Sequence, residues 1–406
     1  MNNLCHRNYY RSAGRFFLSV RTKYSATSSN LAGGETYESV PKVVYSLRNT
    51  AMDHHHKEEE LDIGRTARVP FILSALEKSK LTPEFRGPEI VQINSFRKAT
   101  LEDIRGVHDY YFPVHLREAV EEAKTSKPRY PFHMIEFNYV TDTSYEDSLA
   151  AAGAGLSLVD YVVAASKNNA NSPIGFALLP PPGHNIPVVD YMGFCYFENA
   201  GIAARYAQRV HGLKRVLIID FDVHFLDITN DAFYEDPDIF VLSTHSEEWY
   251  HRKFDETGSG RGEGATLNLP LPNGFGDVGM RNVFDEVIVP CAQKFKPDLI
   301  IVSAGYDGHA ADPDGTFQLT TGTYYMLASG IKRLAEDLCG GRCVFFLEGG
   351  TSESIVSFSV AESFRAFVGE PSMAPEFEKK YAVFLHDEPS NKIKQAIQRT
   401  KHLHSI

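Results

Sequence analysis

"RVLIIDFDVHFLDITNDAF", residues 215–233, is the stretch that decides how this chain folds. Val216 to Ile219 are apolar without interruption, as in a strand covered on both faces. Asp220, Asp222 and His224 then follow at alternating positions. On extended backbone, alternate side chains leave on the same side. Two carboxylates and an imidazole are therefore delivered together at a strand end, and Asp222 and His224 can reach one ion. Directly afterwards stand Phe225 and Leu226, then Asp227. The stretch keeps metal-binding residue types and surrounds them with apolar side chains.

The same alternation of short apolar runs and helical stretches extends in both directions. Strands are expected at "KVVYSL", "IGFALLP", "DIFVLSTH", "DLIIVSAGY" and "RCVFFLEGG". Helices are expected at "EDSLAAAGAGLSLVDYVVAAS", "NAGIAARYAQRVHG", "MRNVFDEVIVPCAQKF" and "TYYMLASGIKRLAEDL". Strand–helix alternation with continuous apolar strands predicts an α/β fold: a single-domain open parallel sheet with helices on both faces. We expect that domain over residues 35–385, with a basic tail, 386–406, forming an exposed helix.

In such sheets, ligands bind beyond the carboxyl ends of the strands. The polar clusters fall there: "PPPGHN" (180–185), "DFDVH" (220–224), "YDGHAADPDG" (306–315) and "EGGT" (348–351). Acids that cap strands and loops would explain any one cluster; four on one rim point to a site. Asp307 can supply a third ligand beside Asp222 and His224. Two carboxylates, one imidazole and open positions suit zinc acting as a Lewis acid. Asp220 is placed to orient a neighbouring imidazole or help hold a monovalent cation.

Composition limits the rest. The 406 residues carry a formal net charge of −11, which argues against a nucleic-acid partner, and no apolar run in the sequence reads as a membrane span. Residues 1–34 contain Arg7, Arg11, Arg15, Arg21 and Lys23 and no acid, with serines and aromatics between them. That is the composition of an organellar transit peptide, for plastid or mitochondrion. Five scattered cysteines fit a reducing compartment. His54–His56 beside "KEEE" reads as a solvated loop, and "GSGRGEG" lacks the lysine-serine ending of a phosphate loop.

"PPPGHN…MGFCYFENAGIAARYA", "VLIIDFDVH…TNDAF", "SAGYDGHAADP" and "FFLEGG" resemble the zinc-dependent histone deacetylase family, in particular its class II-like plant organellar members. The resemblance spans roughly residues 40–385. It implies the arginase/deacetylase fold and zinc held by Asp222, His224 and Asp307. It matches His184 to the first histidine of a catalytic pair and Asp220 to its orienting carboxylate. It also matches Gly193 and Phe194 to a tunnel wall, Arg68 to an arginine beneath the site, and the backbone around Asp220, Asp222, His224, Ser243 and Thr244 to a potassium site.

Several residues depart from that pattern. Asn185 stands where the resemblance implies a second histidine, the base, and an amide cannot take a proton. Thr351 stands where it implies the tyrosine that stabilises the oxyanion. Phe225 and Leu226 replace a polar, glycine-rich run, and "WYHRKFDETGSG" replaces a rim loop. Losing an oxyanion donor costs roughly 10²–10³ in rate, and losing a general base roughly 10²–10⁴. Weak activity on acetyl-lysine is therefore expected. The expectation is an enzyme for a small acylated amine of polyamine type, or a non-hydrolytic Lewis-acid step such as imine formation or cyclisation. His184, Asp220, Asn185, Asp227 and Thr351 would be near the chemistry, and Phe225 and Leu226 would form a dry floor. The alternative is a silent zinc-binding subunit that pairs with an active relative or with a second copy.

Overall fold

The structure is a computed structural model. It describes residues 41–47, 68–125, 133–135, 138–168, 171–178, 182–184, 195–313, 315–381 and 385–406. Of the residues singled out above, the leader 1–34, His54–His56, Asn185, Gly193 and Phe194 lie outside the described residues.

Eight strands form one parallel sheet: β1 (Val43–Leu47), β2 (Ile90–Ile93), β3 (Ile174–Leu178), β4 (Val216–Asp220), β5 (Ile239–Ser246), β6 (Thr266–Leu271), β7 (Leu299–Ala304) and β8 (Cys343–Leu347). Their spatial order is β2-β1-β3-β8-β7-β4-β5-β6. Every strand expected from sequence is present; among the described residues β2, β6 and a separate antiparallel pair, His133–Ile135 with Asn138–Val140, are additional. β6 reads "TLNLPL", with a proline and an asparagine, and it closes one edge, where a residue without an N–H is tolerated.

The central strands are buried along their whole length, so alternate residues feed two apolar layers. Leu217 and Ile219 of β4 join one layer with Phe176, Phe345 and Phe364. Val216 and Ile218 join the other with Leu156, Val344 and Phe346. Helices α1 (Arg68–Lys78), α2 (Thr321–Cys339) and α3 (Glu353–Val368) pack together over the first layer. The helices Ser144–Asn168 and Asn199–His211 cover the second. Ser144–Asn168 is long and apolar enough by length and composition to cross a membrane, and most of it is buried here in the core. This helix is expected from sequence at 146–166, where it does not read as a membrane span.

The helix ends follow local chemistry. Asn199–His211 is capped by the Glu198 side chain, which accepts from Gly201 N, and it stops at Gly212 in left-handed backbone. The basic tail forms the helix Ser390–His404, but it is not free of the body. Ile393, Ala396, Ile397 and Thr400 are buried on one of its sides, against β6 and the π-helical turn Phe284–Ile288.

Candidate metal centre

The chain reaches the sheet's carboxyl edge four times in adjacent strands, β3, β8, β7 and β4. Asp220 ends β4 opposite Ser243 of β5 and Ser303 of β7. Asp307 follows β7, Glu348 follows β8, and His184 lies beyond β3. Residues separated by more than a hundred positions are thus set side by side by strand order.

Asp222, His224 and Asp307 converge: one ligand atom from each lies within 4.8 Å of the others, and all three residues are buried. His224 Nδ1 is 2.9 Å from Asp222 Oδ1 and 3.1 Å from Asp307 Oδ2. Backbone groups hold the carboxylates in turn. Gly349 N donates to Asp222 Oδ2 at 2.7 Å, and Val223 N to Asp307 Oδ1 at 3.0 Å. Glycines let the chain come this close. A Cβ at Gly305 would lie 2.0 Å from Asp222 Oδ2, and one at Gly349 would lie 2.0 Å from Asp307 Oδ2. Two fully buried carboxylates facing one imidazole nitrogen from a glycine cradle form a donor set that can hold a metal ion.

His184 is clamped by its two nitrogens. Nδ1 lies 3.1 Å from Asp220 Oδ2, and Nε2 lies 3.2 Å from Asp222 Oδ2. Asp220 also accepts from Asp222 N at 2.8 Å. Burial works against charge at His184, but Asp222 and Asp220 outweigh it and raise the imidazole well above its usual value. At His224, burial is likewise outweighed by Asp222 and Asp307, and the imidazole is carried up to about 10. Burial pushes Asp220 and Asp307 each up to about 6. Burial acts the same way on Asp222, but His184 and His224 hold it well below the usual carboxylate range.

Two further buried carboxyls were not anticipated. Glu348 Oε2 accepts from Gly183 N at 2.7 Å and from His184 N at 3.3 Å, tying the end of β8 to the histidine loop. Glu198 accepts from Thr229 Oγ1 at 2.7 Å. Burial raises them to about 8 and about 7. The available signal was position: Glu348 is the first polar residue after an apolar strand, and Glu198 opens a helix. Arg68 lies beneath, donating from Nη1 to the carbonyls of Glu348 (2.6 Å) and Gly350 (3.1 Å).

The remaining expected residues are placed as follows. Leu226 is fully buried among Ile228, Phe233 and the second apolar layer. Phe225 is buried against His245 (ring centroids 4.9 Å apart) and Tyr250 (5.0 Å). Asp227 Oδ1 is engaged by Arg252 Nη2 at 3.2 Å and His251 Nε2 at 3.1 Å. Thr351 N donates to Asp312 Oδ2 at 2.9 Å, so its loop is fixed from the β7 side. His245 is buried and bonded to Ser243 at 2.8 Å, and His309 is buried with Nε2 3.7 Å from Glu378; both stand apart from the three-residue donor set.

An open parallel sheet with a carboxylate–imidazole–carboxylate cluster at its carboxyl edge is the arrangement of a metal-binding α/β protein. The particular family is shown by comparison: residues 63–367 match the histone deacetylase domain, and this chain belongs to the histone deacetylase family. Histone deacetylase 14, chloroplastic, of Arabidopsis thaliana is 50% identical over 414 residues, covering 100% of this chain and 95% of that protein. Polyamine deacetylase HDAC10 of Homo sapiens is 33% identical over 342 residues, covering 81% of this chain and 48% of that protein. The crystal structure of the HDA15 HD domain superposes with a TM-score of 0.72 at 26% identity, covering 89% of this chain and 95% of that one. The expected arginase/deacetylase fold is therefore the observed one.

Proposed function

We propose that this chain is a zinc-dependent enzyme acting on a small acylated amine, with a catalytic apparatus reduced to one histidine. The observation that carries this reading is His184, held between Asp220 and Asp222 beside the buried Asp222–His224–Asp307 cluster. A protein that needed metal only for stability would have no use for an imidazole fixed in orientation at both nitrogens.

Asp222, His224 and Asp307 would hold the zinc, which polarises an acyl carbonyl or its attacking water when bound. Asp220 fixes His184 through Nδ1, so a proton is exchanged at Nε2, the nitrogen that faces the cluster. Asp222 supports the charged imidazolium that results. Glu348, by accepting from His184 N, keeps the histidine from withdrawing. Asn185 adds no base, and Thr351 is too short to take the place of a tyrosine hydroxyl. Asp227, spent on Arg252 and His251, is not an available replacement base.

Hydrolysis of acetyl-lysine is accordingly weak, and the substrate is a slender acylated amine or an intermediate that needs only Lewis-acid help, as in imine formation or cyclisation. Similarity to a protein named a polyamine deacetylase supports the amine. The name of the Arabidopsis relative supports the plastid as the destination of the leader 1–34. A potassium ion at the carbonyl of Asp220 belongs to the same reading; Thr244 Oγ1 lies 3.3 Å from that carbonyl. The deciding experiment measures bound zinc in the full chain and turnover of N-acetylated diamines, in wild type and H184A. Bound zinc with turnover lost in H184A supports an enzyme. Equal turnover in H184A sinks it, and zinc without turnover leaves the silent-subunit reading.

A further inference from the structure

We infer that Trp249 selects the substrate at this site, and that the group it selects is an alkylammonium. The inference rests on the amine-acting reading above. Asp222 and Asp307 have no exposed surface, whereas His224 is 8% exposed, so among the described residues solvent meets the donor set at this imidazole. Trp249 stands at that opening. Its ring centroid is 5.0 Å from that of His224, with the planes 43° apart, and the residue is 49% exposed. One face of the indole is spent on a ligand residue, and the rest of its surface is offered to whatever approaches.

The turn that carries Trp249 is pinned. Trp249 N donates to Ser246 O at 3.2 Å. Tyr250 stacks on buried His245 at 4.9 Å and donates its hydroxyl to Lys253 O at 2.7 Å. Arg252 is clamped to Asp227 and Asp231 at 3.2 and 2.5 Å. The turn that presents the indole is therefore fixed at the opening, and the ring itself rests against His224, a placement on which selectivity can be built.

Its electrostatic surroundings favour a cation. Glu247 and Glu248 precede it and are exposed, Glu248 also accepting from Asn273 Nδ2; the charge of Arg252 is taken up by two aspartates, which leaves Lys253 as the exposed lysine of the turn. An indole face attracts an ammonium through its quadrupole, and acids nearby reinforce that attraction. A substrate whose acyl end enters toward His224 would then lay its distal ammonium on Trp249. The expected preference over an uncharged isostere is about three- to thirty-fold in affinity.

Trp249 is the only tryptophan in the chain, so it also reports on the site. Cobalt(II) is titrated into the full chain while tryptophan emission is followed. Binding of N-acetylputrescine and of its uncharged isostere N-pentylacetamide is then measured by calorimetry, in wild type, W249F and W249L. We expect tighter binding of the ammonium compound in wild type, most of that preference in W249F, and none in W249L. A preference that survives in W249L, no preference in wild type, or no binding of either compound overturns the inference. So does tighter binding of N-(2-phenylethyl)acetamide than of both, which would assign the indole to aryl groups. Absence of quenching by cobalt sinks the metal reading instead, and the calorimetric comparison still decides the role of Trp249.

Discussion

Asp307 contributes a carboxylate from one strand end to an imidazole delivered by another. D307A should therefore lose the metal while the sheet stays folded, seen as less than one-tenth of wild-type zinc by elemental analysis with unchanged far-ultraviolet circular dichroism. G349A tests the cradle itself, because its Cβ would fall within 2.2 Å of oxygens from both Asp307 and Asp222. Weakening of zinc affinity by at least about tenfold is expected, the scale at which groups that orient metal ligands act. Activity at the same scale is tested by restoring what the sequence lacks. N185H with T351Y should raise acetyl-lysine peptide hydrolysis at least about tenfold, since each group alone is ordinarily worth more than that. Asp222 and His224 were legible from a two-residue period at a strand end, and Asp307 from a second polar cluster after another apolar strand; it is their coincidence on one rim that made the signal. The roles of Glu348 and Glu198 were not, because they depend on which loops meet over β8 and on a helix start folding inward. Asp227 was expected near the chemistry, and its partners Arg252 and His251 come from a turn with no periodic pattern.

At the level of elements, the expected strands and helices were readable from their buried apolar runs. β6 was missed because "TLNLPL" breaks the pattern of a central strand. The tail was read as an exposed helix from its lysines and arginines. Its buried residues Ile393, Ala396, Ile397 and Thr400 recur at helical spacing and dock on β6. Ile397 is 2% exposed, so I397A should cost about 2–4 kcal/mol by urea denaturation. A cost below about 0.5 kcal/mol would mean that the helix is an appendage after all.

Across the whole molecule, stability should depend on pH through histidines folded away uncharged. His108 is the clearest. Its Nε2 accepts from Glu198 N at 2.9 Å, and burial lowers the imidazole from 6.5 to about 3, with Asp109 as its charged neighbour. In the unfolded chain His108 takes up a proton below about pH 6.5, and in the folded chain only near 3. Its contribution is therefore complete above pH 6.5 and is lost as pH falls, by about 1.4 kcal/mol for each unit. H108Q keeps an acceptor for Glu198 N and does not titrate. Its stability relative to wild type should rise steadily from pH 6.5 to 4.5 in denaturant melts, and a constant difference would show that His108 is not held neutral.

Strand order has a consequence for when this protein can acquire its metal. β8 is the last strand in the chain, yet it lies between β3 and β7, and its trailing loop supplies Gly349 and Glu348 to the centre. A ribosome that has released only the first three hundred residues has made a sheet with a gap in its middle and an incomplete cradle. A chain threaded linearly through a membrane channel meets the same condition. Metal loading would then follow emergence of β8, so a metal held at this centre would come from the compartment where the chain finishes folding, whichever compartment synthesised it.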